Sequence, residues 1–235
     1  MSWNQQSPTY LPADVLAARI TSFLGKVYGW MFLGLLVTAT TAFILLSSAP
    51  LMEFIVLNRG VLWLVFIGQL GLVIFLSARV NKMAPATAAA LFILYSATVG
   101  ITMSLVFLAY TGVSLFSTFM VTAGTFGALA LFGTVTKRSL AGVGQFMFMG
   151  LIGLIIAMVV NLFVLSSVVD FVISVVGVIV FTGLTAWDAQ RLKQMAVALP
   201  DGRVGAYAVV GALSLYLDFI NLFLFILRFT GNRRS

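Results

Sequence analysis

Seven stretches of this chain run almost unbroken in apolar residues for about the 20 positions a helix needs to cross a bilayer core. They are Val27 to Ser48, Val61 to Ala78, Pro85 to Ala109, Leu115 to Thr136, Phe146 to Leu165, Val168 to Trp187 and Ala206 to Phe229. A segment in lipid must satisfy its own backbone donors and acceptors, and runs of this length do so as helices. The connections, "ARVNKMAP" and "TKRSLAGVG" among them, are short, so neighbouring helices are antiparallel within one domain. The sequence predicts an all-α membrane protein, a seven-transmembrane-helix bundle over residues 27–229. A lead-in, 1–26, precedes it and a short basic tail, 230–235, follows.

Composition agrees: 62% of the 235 residues are hydrophobic and 8% charged, against about 25% charged in soluble domains. The absence of both Cys and His excludes disulfides, thiolate or imidazole metal sites, and Ser-His or Cys-His catalysis. Proton chemistry near neutrality then falls to carboxylates or lysines in unusual surroundings. The net charge of +7 does not point to nucleic acid, because the basic residues lie in small clusters between apolar runs.

The first 26 residues are too long and polar for the n-region of a signal peptide. They read as an uncleaved, partly amphipathic approach to the first span. Counting basic residues on alternate sides gives nine on one side (Arg19, Lys26, Arg79, Lys82, Lys137, Arg138, Arg191, Lys193, Arg203) and four on the other (Arg59, Arg228, Arg233, Arg234). The excess predicts a cytoplasmic N-terminus. Seven full spans then put the arginines of "RFTGNRRS" on the sparser side, so a re-entrant last segment remains an alternative.

Small residues in "GKVYG" (Gly25, Gly29), "AGTFGA" (Gly124, Gly127) and "GLIG" (Gly150, Gly153) predict close helix packing. The G-x-G of "GVGQFMFMG" is too short for a phosphate-binding fingerprint.

Six acids exist. Asp14 lies in the lead-in, and Glu53, Asp170 and Asp201 fall in or beside connections. Asp188 and Asp218 remain, and an Asp at a helix centre costs about 2.5–3.5 kcal/mol on insertion scales. Such a residue faces the bundle interior. On the last span Gly211, Ser214, Asp218, Asn221 and Arg228 share a sector of roughly 100°, and the remaining circumference is apolar. On the sixth span Ser174, Gly177, Phe181, Thr185 and Asp188 share one face, with Arg191 nearby.

If the two stripes face each other, the carboxyls form a pair that holds one proton between them, because two adjacent charges cannot both ionise cheaply in low dielectric. The alternative is that each Asp pairs with a cation, Asp188 with Arg191 or Arg79, and only satisfies buried polarity. Depth is an obstacle to the pair. Hydropathy ends the sixth span near Trp187, whereas Asp218 lies mid-span, so pairing requires the sixth helix to continue through "AQRLKQMAVAL" or the seventh to begin further back.

The pieces "FTGLTAWDAQRLK", "ALSLYLDFINLFLFILRF", "TKRSL" and "MGLIGLIIAMVVNLF" resemble the Bax inhibitor family, the transmembrane Bax-inhibitor-motif proteins, and in particular its bacterial YccA-like branch. The likeness covers nearly the whole chain from the first span onward. It implies a last helix enclosed by the other six and a multi-pass location in the inner (plasma) membrane. It also implies a pH-sensitive calcium leak governed by an aspartate pair matching Asp188 and Asp218, with Arg79 in the position of a cation that contributes to closure. Two departures stand out: Gln69 where some relatives carry an acid in the second span, and a longer loop before the last span.

Three functions are weighed. A proton-regulated cation leak would use calcium as permeant ion, with no resident cofactor. Its transient site would be Asp188 and Asp218, with Ser214, Asn221, Thr185 and Arg228 as pathway candidates; the small number of acids suits weak binding, which conduction requires. An intramembrane aspartyl protease also needs two aspartates, but its Tyr-Asp and Gly-x-Gly-Asp motifs are absent, so no enzyme is expected. A non-conducting membrane protein that binds a membrane protease or stress-response partner is the remaining alternative.

Overall fold

The computed structural model describes residues 12–234. Eight α-helices follow one another: α1 (Ala13–Leu46), α2 (Ala49–Leu57), α3 (Arg59–Arg79), α4 (Pro85–Ala109), α5 (Gly112–Val135), α6 (Ala141–Val164), α7 (Ser167–Ala198) and α8 (Val204–Thr230). All except α2 are long and apolar enough to cross a membrane, seven in total. The last is a continuous helix of 27 residues, about 40 Å long, which is long enough for a full crossing.

Local chemistry sets the boundaries. Pro85 opens α4 at its first turn, where a missing N–H costs nothing. The Thr111 hydroxyl accepts from Ser114 N–H at 3.3 Å to start α5. Ser166 does the same for Val169 at 3.4 Å to start α7. Between α6 and α7 the chain turns on Leu165, whose φ of 53° is left-handed, while Asn161 accepts the Leu165 and Ser166 N–H groups through its carbonyl and side chain.

Three expectations about the connections change. The segment around Glu53 is not a loop but the short helix α2, opened by Pro50. The lead-in from Ala13 to Lys26 is the beginning of α1 itself, a 34-residue helix; residues 1–11 of the lead-in lie outside the described residues. The basic tail is tied down through Arg234. Tyr110 and Arg233 form an antiparallel bridge, Thr111 N–H donates to Asn232 carbonyl at 3.1 Å, and Arg234 N–H donates to Ala109 carbonyl at 3.0 Å.

The last helix is central. It packs against α1, α4, α5 and α7, and Tyr216, Leu215, Leu222 and Ala212 on it are fully buried. The wall that touches it consists mainly of those four helices rather than all six. On the flanks α3 packs on α4 and α6 on α7, and both present large apolar side chains outward, Trp63 and Phe163 among them. Gln69 holds α3 to its neighbour by donating to the Thr98 carbonyl at 2.8 Å, so this amide is spent on an interhelical tie.

Backbones do approach closely, though mostly not at the predicted glycines. Gly25, Gly29, Gly124, Gly127 and Gly153 face open space, and only Gly150 of that set meets another helix, at Val180. The tight positions are elsewhere. Gly133 on α5 lies directly against the Ala186 carbonyl of α7, Gly144 on α6 lies under the Trp187 ring, and a methyl at Gly177 would stand 2.6 Å from the ring of Phe225.

Candidate functional site

The small and polar stripes of α7 and α8 face each other. Gly177 receives the Phe225 ring and Gly211 receives the Leu192 side chain, while Phe181 and Phe225 stack with centroids 5.7 Å apart. Along this seam Ser214 of α8 lies beside the Asp188 carboxylate of α7, and Asp218 follows one turn farther along α8.

The depth obstacle disappears because α7 continues well past Trp187, to Ala198. Asp188 lies ten residues before that end, and Ser214 lies ten residues after the start of α8 at Val204. In antiparallel helices joined by a short connection those two positions are level. Asp218 is one turn farther along, about 6 Å deeper. Polar "AQRLKQ" looked like a loop to hydropathy, yet it is helical and half of it is inside: Ala189, Gln190 and Leu192 are buried.

The two carboxyls have unequal surroundings. Asp188 has Ser214 and also the Arg191 guanidinium, 3.8 Å away, and that Arg is 54% exposed. Asp188 therefore lies at the seam's boundary with solvent. Asp218 has neither. Its Oδ2 is buried with no hydrogen-bond partner, the one such side-chain atom among the described residues. A buried polar atom without a partner costs about 1–3 kcal/mol, so its presence needs a reason beyond packing.

The remaining predicted residues scatter. Thr185 is buried one turn from Asp188 and donates to Phe181 carbonyl at 2.7 Å. Asn221 is half-buried one turn beyond Asp218, donating from Nδ2 to Leu217 carbonyl at 2.8 Å. In both cases the group's hydrogen is spent locally and an oxygen keeps lone pairs free. Arg228 is at the far end of α8, paired with Asp170 at 3.6 Å, ten residues or about 15 Å from Asp218. Arg79 is exposed at the end of α3, over the Phe75 ring at 6.0 Å. Among the described residues no ion pair joins it to either aspartate, so the cation beside the seam is Arg191. Nor do three acidic side chains converge anywhere among the described residues.

Two features escaped the sequence reading. Gln190 grips the α5–α6 turn, accepting from Leu140 N–H at 2.8 Å and donating to Arg138 carbonyl at 2.8 Å. One turn on, Lys193 donates to Thr134 carbonyl at 2.6 Å, at the end of α5. The only sequence signal was the place of both residues in "DAQRLK", polar positions in a run otherwise explained by Asp188. The second feature is a buried knot on the opposite face of α8. The Tyr216 hydroxyl lies 2.6 Å from Thr38 Oγ1, Thr38 donates to Ser96 carbonyl at 2.9 Å, and the Tyr216 ring meets Phe92 and Tyr95 edge-on. It fastens α8 to α1 and α4.

Comparison with known proteins places these features in a wider group. The family model described as "Inhibitor of apoptosis-promoting Bax1" matches residues 20–235. The chain is 47% identical to Inner membrane protein YbhL of Escherichia coli K12, covering 92% of this chain and 94% of that one. It is 44% identical to an uncharacterized protein of Borreliella burgdorferi, covering 91% and 93%. It is 37% identical to an uncharacterized membrane protein of Streptococcus pyogenes serotype M1, covering 94% and 96%.

Proposed function

Because the chain belongs to the Bax inhibitor family, we propose that it is a passive, pH-sensitive cation leak of the inner membrane, with calcium as the leading permeant ion. Asp188 and Asp218 are its sensing and gating pair. The observation that carries this reading is the unpartnered Asp218 Oδ2, buried on the central helix one turn below Asp188. A group kept for packing alone would have a partner. One kept for a proton or a passing cation need not.

With one proton between them the two carboxyls carry a single charge, partly balanced by Arg191 and Ser214. Loss of that proton puts two negative charges into one poorly hydrated seam, and the helices then separate or admit a cation with its water. Free oxygens of Thr185 and Asn221 flank the pair along the seam. Together with water they offer a transient calcium site, weak enough to release the ion. Among the described residues Arg191, and not Arg79, is ion-paired with Asp188, which supports Arg191 as the balancing charge.

Reconstitution into liposomes loaded with a calcium dye tests the reading. Wild type passes calcium at a rate that changes between about pH 6 and about pH 8, and Asp188→Asn loses that change. Flux and pH response equal to wild type in both Asp188→Asn and Asp218→Asn would reject the pair as the gate.

A further inference from the structure

Beside the clamp made by Gln190 and Lys193, the structure has a second polar feature that the leak does not use. A pocket of 370 Å³ opens where the first turns of α1, the α5–α6 turn and the end of α7 meet. The α5–α6 turn and α7 supply a cationic and polar lining, with Lys137, Arg138, Ser139 and Lys193; Leu16 and Ile20 of α1 supply an apolar wall, extended by Val197 of α7. We propose that this pocket binds the phosphate-bearing headgroup of an anionic phospholipid, with the first part of an acyl chain on its apolar wall.

Four observations favour that occupant. First, no acid balances the charge: no carboxylate lines the pocket, and among the described residues none of Lys137, Arg138 and Lys193 is in an ion pair. Three basic groups together attract an anion, and basic pockets between membrane helices take acidic headgroups. Second, the pocket is at the level of the α5 end, Val135, and the α6 start, Ala141, which is headgroup depth in a bilayer. Third, the pocket is amphipathic. A soluble anion would use only the cationic side, whereas a phospholipid uses both. Fourth, its 370 Å³ falls within the range of about 300–1,000 Å³ typical of small-molecule sites.

The walls are also fixed in place. Gln190 holds the turn through two backbone hydrogen bonds, the Thr136 hydroxyl accepts from Arg138 N–H at 3.4 Å, and Lys193 is anchored on Thr134 carbonyl. The side chains of Lys137 and Arg138 are left exposed as the free donors at the rim.

The test uses the full chain in an uncharged detergent, titrated with phosphatidylglycerol or phosphatidylcholine while thermal unfolding and lipid-bound mass are measured. Phosphatidylglycerol raises the unfolding midpoint and stays bound, and phosphatidylcholine at equal concentration does neither. The double variant Lys137→Gln, Arg138→Gln weakens phosphatidylglycerol binding about 30-fold, from about 1 kcal/mol per basic residue. The pair Lys137→Arg, Arg138→Lys keeps it, as does Arg233→Gln, Arg234→Gln at the opposite end. Inorganic phosphate has no effect, because it cannot occupy the apolar wall. Equal binding of both lipids, wild-type affinity in the Gln double variant, or full stabilisation by inorganic phosphate would each overturn the proposal.

Discussion

Ser214 on α8 lies beside Asp188 on α7, at the level where the two helices are in register. Asp218, on the same helix as Ser214 and one turn deeper, is left without a hydrogen bond at Oδ2. The two acids are therefore not equivalent, and substitutions around them should separate.

Ser214→Ala removes the hydroxyl beside Asp188, which is worth about 1.5–3 kcal/mol when it donates to a charged carboxylate, without touching either carboxyl. Calcium flux in liposomes should persist, with the midpoint of its pH dependence displaced by about one unit or more. An unmoved midpoint would mean that the hydroxyl does not influence the gate.

Asp218→Leu exchanges an unsatisfied buried carboxyl for an apolar side chain with the same branching at Cγ. Removing the orphaned polar group recovers its desolvation cost of about 1–3 kcal/mol. The variant should unfold at a higher temperature in detergent than wild type while losing flux. A fall in unfolding temperature would assign Asp218 a structural role instead.

Gln190→Leu leaves Leu140 N–H and Arg138 carbonyl without their partner. At about 1–3 kcal/mol for each of the two orphans, the variant loses about 2–6 kcal/mol. Hydrogen exchange at Leu140 should accelerate together with this loss, which locates it at the α5–α6 turn.

Gly133→Ala places a methyl against the Ala186 carbonyl, where backbone has to shift. Overpacking of this kind costs about 1–3 kcal/mol. Gly25→Ala and Gly29→Ala face open space and should stay within about 0.5 kcal/mol of wild type. A thermal-unfolding comparison of the three variants separates glycines that pack from those that only resemble packing motifs.

This last contrast shows where the sequence was readable. The seven spans were, because lipid leaves long apolar helices as almost the only solution for such runs. So were the stripes of Asp188 and Asp218, which follow from helical periodicity within one segment. What a segment meets is a different matter. Gly25 and Gly133 look alike in sequence and differ only in which backbone lies opposite. The end of α7 was misread for a related reason: hydropathy registers Gln190 and Lys193 as polar and stops at Trp187, but both are satisfied by carbonyls or N–H groups 50 or more residues away. The helix α2 was lost because nine residues carry too few turns to distinguish a short helix from a loop.

The central position of α8 also sets an order of events during synthesis. Its four neighbours, α1, α4, α5 and α7, all precede it in the chain, so the ribosome delivers the walls before the core. Alone in lipid, a helix carrying Asp218 would incur about 2.5–3.5 kcal/mol from that one side chain. The walls of α1, α4, α5 and α7, once assembled, are what take that side chain out of the lipid. The nascent protein is thus a hollow bundle awaiting its axis, and the residue proposed to gate the finished leak is among the last to find its place.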